Sequence, residues 1–195
     1  MSYSTINSIT LFFAILAMVA ALLVIAIVAS ALTGDRLRVV RSLRPVALEL
    51  AAAVAVTCTI GSLIMSEVLN FEPCLNCWVQ RGFMYPAALL LMIATFTRRM
   101  ALAKAAGILA LLGLPVAIFH RYEQATGTEI GGLCGSGAPC SAKYFEQFGF
   151  VTIPTMAGIG FAAIIALTVI AVGQTRRSDM VDDQIAQPSS DGALV

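Results

Sequence analysis

The sequence predicts an all-α integral membrane protein: a four-helix transmembrane bundle with one extra transmembrane helix at the N-terminus. Three observations carry this. Of the 195 residues, 59% are hydrophobic and 12% charged, whereas soluble domains carry about 25% charge. A water-soluble core of this size cannot hide that much apolar surface. The apolar residues also fall into five runs near the roughly 17–25 residues that cross a bilayer as helix. Lastly, the basic residues crowd the connections on one side. A net charge of +1 gives no reason to expect a nucleic-acid partner.

The runs are Leu11 to Leu32, Val46 to Leu69, Trp78 to Thr97, Met100 to Phe119 and Phe150 to Val172. The first is uncharged. The second holds Glu49 and Glu67 near its ends, the third has Arg81 near its start, and Lys104 of the fourth can snorkel to the interface. Pro86, Pro115 and Pro154 do not break the pattern, because neighbouring groups in a bundle re-satisfy the freed backbone. A secretory signal peptide is the rival reading of the first run, with Ala29-Ser30-Ala31 as a cleavage site. The run is longer than an ordinary signal core, no basic residue precedes it, and arginines follow it, so a retained helix is expected. No internal repeat stands out.

Nine of the twelve basic residues fall on one side: Arg36, Arg38, Arg41, Arg44, Arg98, Arg99, Lys104, Arg176 and Arg177. Arg81, Arg121 and Lys143 fall on the other. The positive-inside rule then puts the N-terminus outside the cell membrane and the C-terminus in the cytoplasm. Three regions follow. Residues 1–45 hold the extra helix and an arginine-rich cytoplasmic connection. Residues 46–173 hold the four-helix domain with two outer loops. Residues 174–195 form a polar tail expected to be disordered, with Asp179, Asp182, Asp183 and Pro188.

Both outer loops carry a cysteine pair. Cys74 and Cys77 form a CxxC after Pro73, where the third helix should begin. A thiolate there is stabilised by the helix N-terminus. Cys134 and Cys140 lie in a glycine-rich loop, whose mobility suits a disulfide that exchanges with more than one partner. Alone, that second pair reads as a structural staple. Two pairs on one face read better as a relay, one pair meeting a soluble protein and the other a membrane-dissolved electron acceptor. A four-cysteine zinc site or scaffold is the alternative, and no metal site is expected. Cys58, mid-span and unpaired, reads as a small buried hydrophobe.

Arg81 follows Cys77 by one helical turn and shares its face. An arginine just inside a span is expensive unless it has a functional partner or reaches the interface, so two readings stand: it stabilises the Cys77 thiolate and the negative charge of a reduced acceptor, or it snorkels to the interface. The sole histidine, His120, closes the fourth run at the outer surface, and by itself its position assigns no role. Trp78, Tyr85, Tyr122 and Tyr144 read as interfacial aromatics. Tyr144, Phe145 and Phe148 suggest a short helix over 141–149 lying on the membrane. Glu67 sits near head-group level, which weakens a proton-path role.

Cys74-Leu-Asn-Cys77-Trp-Val-Gln80-Arg81-Gly-Phe-Met-Tyr85-Pro86 closely resembles the DsbB/BdbC family of disulfide bond formation proteins. Pro139-Cys140-Ser141, Tyr144 and Gly149-Phe-Val-Thr-Ile-Pro154 resemble its second motif region, and His120 matches a histidine at the outer end of the preceding helix. The resemblance spans roughly Val46 to Val172. It implies a four-helix bundle, a bound quinone (ubiquinone or menaquinone) and an extracytoplasmic thioredoxin-fold dithiol oxidase of the DsbA/BdbD type as partner. It further implies that Cys134 and Cys140 form the disulfide that the partner attacks, at Cys134. Cys140 would then engage Cys74, leaving Cys77 beside the quinone, with Arg81 and His120 as quinone-binding residues. The first helix departs from the family pattern. Vitamin K epoxide reductase-type enzymes share this chemistry but usually place the loop pair before the CxxC, the reverse of the order here.

Overall fold

The computed structural model describes residues 3–32, 40, 42–128 and 138–186, with the backbone alone over 174–186. Helix α1 is Tyr3–Leu32 and α2 is Ala47–Leu63, preceded by a 3-10 turn Arg44–Val46 and followed by a π-helical turn Ile64–Val68. Helix α3 is Leu75–Thr97, α4 is Met100–Thr126 and α5 is Ile153–Ala186. Five of these stretches are long and apolar enough to cross a membrane.

Helices α2 to α5 pack in a ring, α2 on α3, α3 on α4, α4 on α5 and α5 back on α2, while α1 lies outside it against α5. The seams are built from small residues. Ala51, Ala55, Ala87, Ala103, Ala106 and Ala110 are fully or almost fully buried, which lets backbones approach where lipid offers no hydrophobic drive for helix association. Gly113 of α4 shows the closest approach: a Cβ there would collide with the ring of Phe161 on α5. Outward faces carry large apolar side chains such as Leu89, Phe96, Ile118 and Val169, as a lipid-facing surface requires.

The turns explain how the ends meet. Arg98, in the left-handed region at φ 55°, ends α3 and reverses the chain within two residues. Its guanidinium reaches Glu49 of α2 at 2.8 Å, tying the non-cysteine ends of α2 and α3 together. At the opposite end the π turn and Asn70 (φ 55°) swing residues 69–74 back over the bundle.

Several boundaries differ from the sequence expectation. Helix α4 continues to Thr126, seven residues beyond Phe119, so His120 is embedded in the helix rather than closing it. No surface helix forms over 141–149. The chain turns at Pro139–Ala142, and Phe148 and Gly149, both at positive φ, close a tight hairpin whose ends pair at Gln147 and Val151. The aromatic spacing serves packing instead: Tyr144 stacks on Phe71 at 4.8 Å, with Phe145 at 6.1 Å from the same ring. Helix α5 carries its backbone through Ala186, so the tail over 174–195 expected to be disordered is helical up to that point. Arg36, Arg38, Arg41 and Cys134 lie outside the described residues.

Candidate functional site

Pro73 disfavours helix for the residue before it, and Cys74 then takes the N-cap of α3 with extended backbone (ψ 172°). Its sulfur accepts the backbone N–H of Cys77 at 3.4 Å, doing what a serine or aspartate oxygen does at an ordinary N-cap. Cys77 lies in the first turn, and the two sulfurs are 3.0 Å apart. That exceeds the ~2.05 Å of a disulfide, and both residues are free thiols here.

The two sulfurs face different surroundings. Cys74 is buried and meets His120 Nε2 at 3.5 Å. The Gln80 amide nitrogen lies 3.0 Å from His120 Nδ1. An amide NH2 only donates, so Nδ1 accepts and Nε2 carries the ring proton toward the Cys74 sulfur. Hydrogen bonding from the Cys77 thiol, then from His120, outweighs burial and holds the Cys74 thiol low, at about 4. One turn beyond His120, the carboxylate of buried Glu123 accepts from Asn76 Nδ2, between the two cysteines, at 2.6 Å. Together α4 and α3 form a polar cradle on the Cys74 side.

Cys77 instead lines a cavity of about 370 Å³ bounded by α1, α2, α3 and α5; Cys74 is not among its lining residues. Arg81, Gln80, Tyr85, Ser62 and Ser66 gather near Cys77, and the remainder is largely apolar. Arg81 Nε donates to Ser62 Oγ at 2.9 Å and Nη2 to the Ser62 carbonyl at 3.0 Å. The guanidinium also lies 5.2 Å from the centre of the Trp78 ring. Tyr85, expected at the interface, turns inward and its hydroxyl lies 3.4 Å from Ser62 Oγ. Cys58 lines the same cavity and packs so tightly on Gly160 that a Cβ there would stand 2.6 Å from its sulfur. A donor-rimmed, mainly apolar pocket in the usual ligand-site range of roughly 300–1,000 Å³ fits a ring with carbonyl acceptors and a greasy substituent.

Over this end folds the second cysteine segment. Cys140 is disulfide-bonded and fully buried. A four-thiolate metal centre is therefore not what this structure holds, since a metal ligand must be a thiolate. The Tyr144 hydroxyl donates to the Glu72 carbonyl at 2.7 Å. Burial, then the Glu72 charge, pushes the Tyr144 phenol up, so it stays a donor. Gln124 Nε2 donates to the Ala142 carbonyl at 2.9 Å. These bonds dock the loop on α4 and on the CxxC approach.

The structure thus brings together Cys74, Cys77, His120 and Arg81, with Arg81 and His120 on opposite sides of the pair. Sequence reasoning missed Ser62, Asn76 and Glu123, and gave Gln80 no role. Gln80 follows Cys77, and Glu123 follows His120, by three residues, the spacing of one helix face; that signal was present. Nothing local marks Ser62 as the partner of an arginine nineteen positions on.

A bundle of apolar spanning helices, with a dithiol capping one of them beneath a disulfide-bearing loop, defines a multi-pass membrane protein of thiol–disulfide exchange. Residues 44–172, more than half the chain, match the family described as disulfide bond formation protein DsbB. The chain belongs to that family. It is 41% identical over 123 residues to the disulfide bond formation protein C of Bacillus subtilis (strain 168), covering 62% of this chain and 88% of that protein. It is 40% identical over 116 residues to a probable disulfide formation protein C 1 of Bacillus anthracis (58% and 83%). A probable disulfide formation protein of Oceanobacillus iheyensis is 36% identical over 119 residues (60% and 82%). No solved structure matches the chain.

Proposed function

We propose that this protein is a thiol:quinone oxidoreductase that reoxidises an extracytoplasmic thioredoxin-fold dithiol partner. The observation that carries the reading is the split of the CxxC: Cys77 shares an in-span cavity with Arg81, while Cys74 lies against His120 outside it. The basic residues support a cytoplasmic C-terminus and extracytoplasmic cysteine loops in the cell membrane.

The partner's thiolate attacks the outer disulfide at Cys134, and the partner leaves as a disulfide with Cys134 and Cys140 reduced. Cys140 then attacks Cys74 in the oxidised CxxC, expelling Cys77, and Cys134 resolves the mixed disulfide to restore the outer pair. The CxxC is left as the dithiol. Arg81 and the apolar walls of the cavity would hold a quinone, ubiquinone or menaquinone, which when bound would supply the sink for two electrons and two protons, and the Cys74–Cys77 disulfide re-forms. Arg81 holds a fixed positive charge at the cavity rim, anchored by Ser62. His120 keeps a proton donor on Cys74, and the apolar walls exclude water.

The test is spectrophotometric quinone reduction by the purified protein with a reduced thioredoxin-fold substrate. Turnover is expected in the wild type and abolished by Cys77→Ser; turnover that persists in that variant sinks the quinone-facing role. One observation favours a second reading. The donor atoms of Cys74, Cys77 and His120 lie within 4.8 Å of one another, close enough to hold a thiophilic metal. Stoichiometric zinc in the reduced protein, without quinone-linked cycling, would establish it.

A further inference from the structure

Helix α1 lies outside the residues that match the family, yet it is firmly seated. Gln147, on the hairpin before α5, donates through Nε2 to Asn7 Oδ1 at 2.9 Å and to Thr10 Oγ1 at 3.2 Å. Midway, the Phe13 ring fills the space above Gly61 of α2, where a Cβ would stand 2.9 Å from its Cε1. Further along, Ile27 joins the core of the bundle. Between these anchors Leu16, Ala17, Ala20 and Leu23 line the cavity together with Leu50 and Val54 of α2, Leu23 also packing against the core.

We infer that α1 converts a lipid-facing groove beside Cys77 into a sleeve for the long apolar tail of the membrane-dissolved acceptor. This rests on the quinone reading above and assigns the family-external helix a part in substrate selection. The cavity's polarity sets the direction. Arg81, Gln80, Tyr85, Ser62 and Glu72 cluster toward the cysteine end, and the stretch walled by Leu16, Ala20, Leu23, Leu50, Ala53 and Val54 is apolar. A ring with carbonyl oxygens sits at the first, and the tail runs along the second. From Phe13 to Leu23 the wall extends ~15 Å at 1.5 Å per residue. The small side chains of Ala17, Ala20 and Ala53 leave the room that larger residues would fill.

The experiment uses the full chain in lipid nanodiscs with a reduced thioredoxin-fold substrate. It compares a polyprenyl quinone with a ring quinone lacking the tail. Ala17→Phe and Ala20→Phe are expected to raise KM for the polyprenyl quinone about tenfold or more and leave the tail-less quinone within about twofold. Leu22→Phe, on the lipid-facing side of α1, is expected to change neither. Equal effects on both quinones, or none, overturn the sleeve while leaving the oxidoreductase reading intact. Wild-type protein that reduces neither quinone overturns that reading itself. An independent readout needs no turnover and no variant: a polyprenyl quinone bearing a photoreactive diazirine on its tail is expected to label residues 13–23. Labelling confined to α2–α5 overturns the proposal.

Discussion

The low pKa of Cys74 makes the proton count of the CxxC a measurable quantity. Three donors act on its sulfur: the Cys77 thiol at 3.0 Å, the Cys77 backbone N–H at 3.4 Å and His120 Nε2 at 3.5 Å. They hold it at about 4, against ~8.5 for a free cysteine. From about pH 5 to 8 the reduced pair therefore keeps one proton, shared between the sulfurs, instead of two. Disulfide formation then releases one proton per two electrons, and the midpoint potential should fall by about 30 mV per pH unit rather than about 59 mV. The assay is thiol trapping after equilibration in dithiothreitol redox buffers. The chain carries Cys134→Ser, Cys140→Ser and Cys58→Ala, so that only this pair reports. His120→Ala, which removes a hydrogen bond to the Cys74 sulfur, should move the break between the two slopes upward from about 4 toward the measured range. A slope near 59 mV per unit across the range in the wild-type pair would refute the reasoning. The alkylation rate at a single pH is a poor substitute. A free thiol is only about 3% thiolate at pH 7, but a Brønsted coefficient of about 0.4–0.5 makes the low-pKa thiolate intrinsically about a hundredfold less nucleophilic. The two effects offset, and only the pH-independence of the rate is diagnostic. Stability follows the same linkage. The folded pKa lies below the unfolded one, so the contribution is whole above ~8.5 and is lost as pH falls toward 4, in the reduced form and not in the disulfide.

Other substitutions test the remaining parts of the site. Ser62→Ala removes the hydroxyl that holds Arg81 Nε, a charged hydrogen bond of about 1.5–3 kcal/mol, and should lower quinone reduction about tenfold or more with helicity unchanged by circular dichroism. Glu123→Ala strands the Asn76 amide beside the CxxC; thermal unfolding should show a loss of about 1–3 kcal/mol. Glu123→Gln, still able to accept, should recover most of it. Gly113→Val drives side-chain atoms into Phe161 and should cost about 1–3 kcal/mol or more, read as a lowered Tm. Tyr144→Phe keeps the stack on Phe71 but loses the bond to Glu72, and should loosen the loop, seen as faster amide exchange at residues 140–146.

Apolar length reads out the fold because the bilayer imposes it residue by residue: a spanning segment must be apolar and helical wherever it sits. That is why all five spans were visible, and why their ends were less so. Met100–Thr126 runs past Phe119 because Glu123 and Gln124, polar enough to suggest a loop, are buried against Asn76 and the Ala142 carbonyl. The 141–149 segment misled for the converse reason. Its aromatic spacing mimics an amphipathic helix, but Phe71 and the Glu72 carbonyl, remote in sequence, offer those rings a better partner. Within the site, the CxxC and Arg81 were legible through local spacing. Ser62 was not, because its role exists only once α2 lies against α3.

On the quinone reading proposed above, the geometry of the CxxC accounts for the need for a bundle and not a single capped helix. A dithiol that takes electrons from a protein and gives them to a lipid-soluble ring must be reachable from two phases without letting them mix. Residues three apart share a helix face, which brings the two sulfurs to 3.0 Å, yet the structure gives each its own environment. Helix α4 supplies a buried imidazole and carboxylate to Cys74, beneath the loop that carries Cys140. Helices α2 and α5 supply apolar walls to Cys77, and Ser62 of α2 anchors Arg81 one turn along α3. The polar cradle favours thiolate on the sulfur next to the loop, which is the leaving or attacking sulfur in exchange with Cys140. The apolar side confines the other sulfur to a chamber where a fixed cation is poorly screened and acts strongly on charge. If the two environments were exchanged, by moving His120 to the cavity side or Arg81 to the loop side, the same cysteines would still form a disulfide. They would then lack the asymmetry that sets the sulfur beside the Cys140 loop apart from the sulfur lining the cavity.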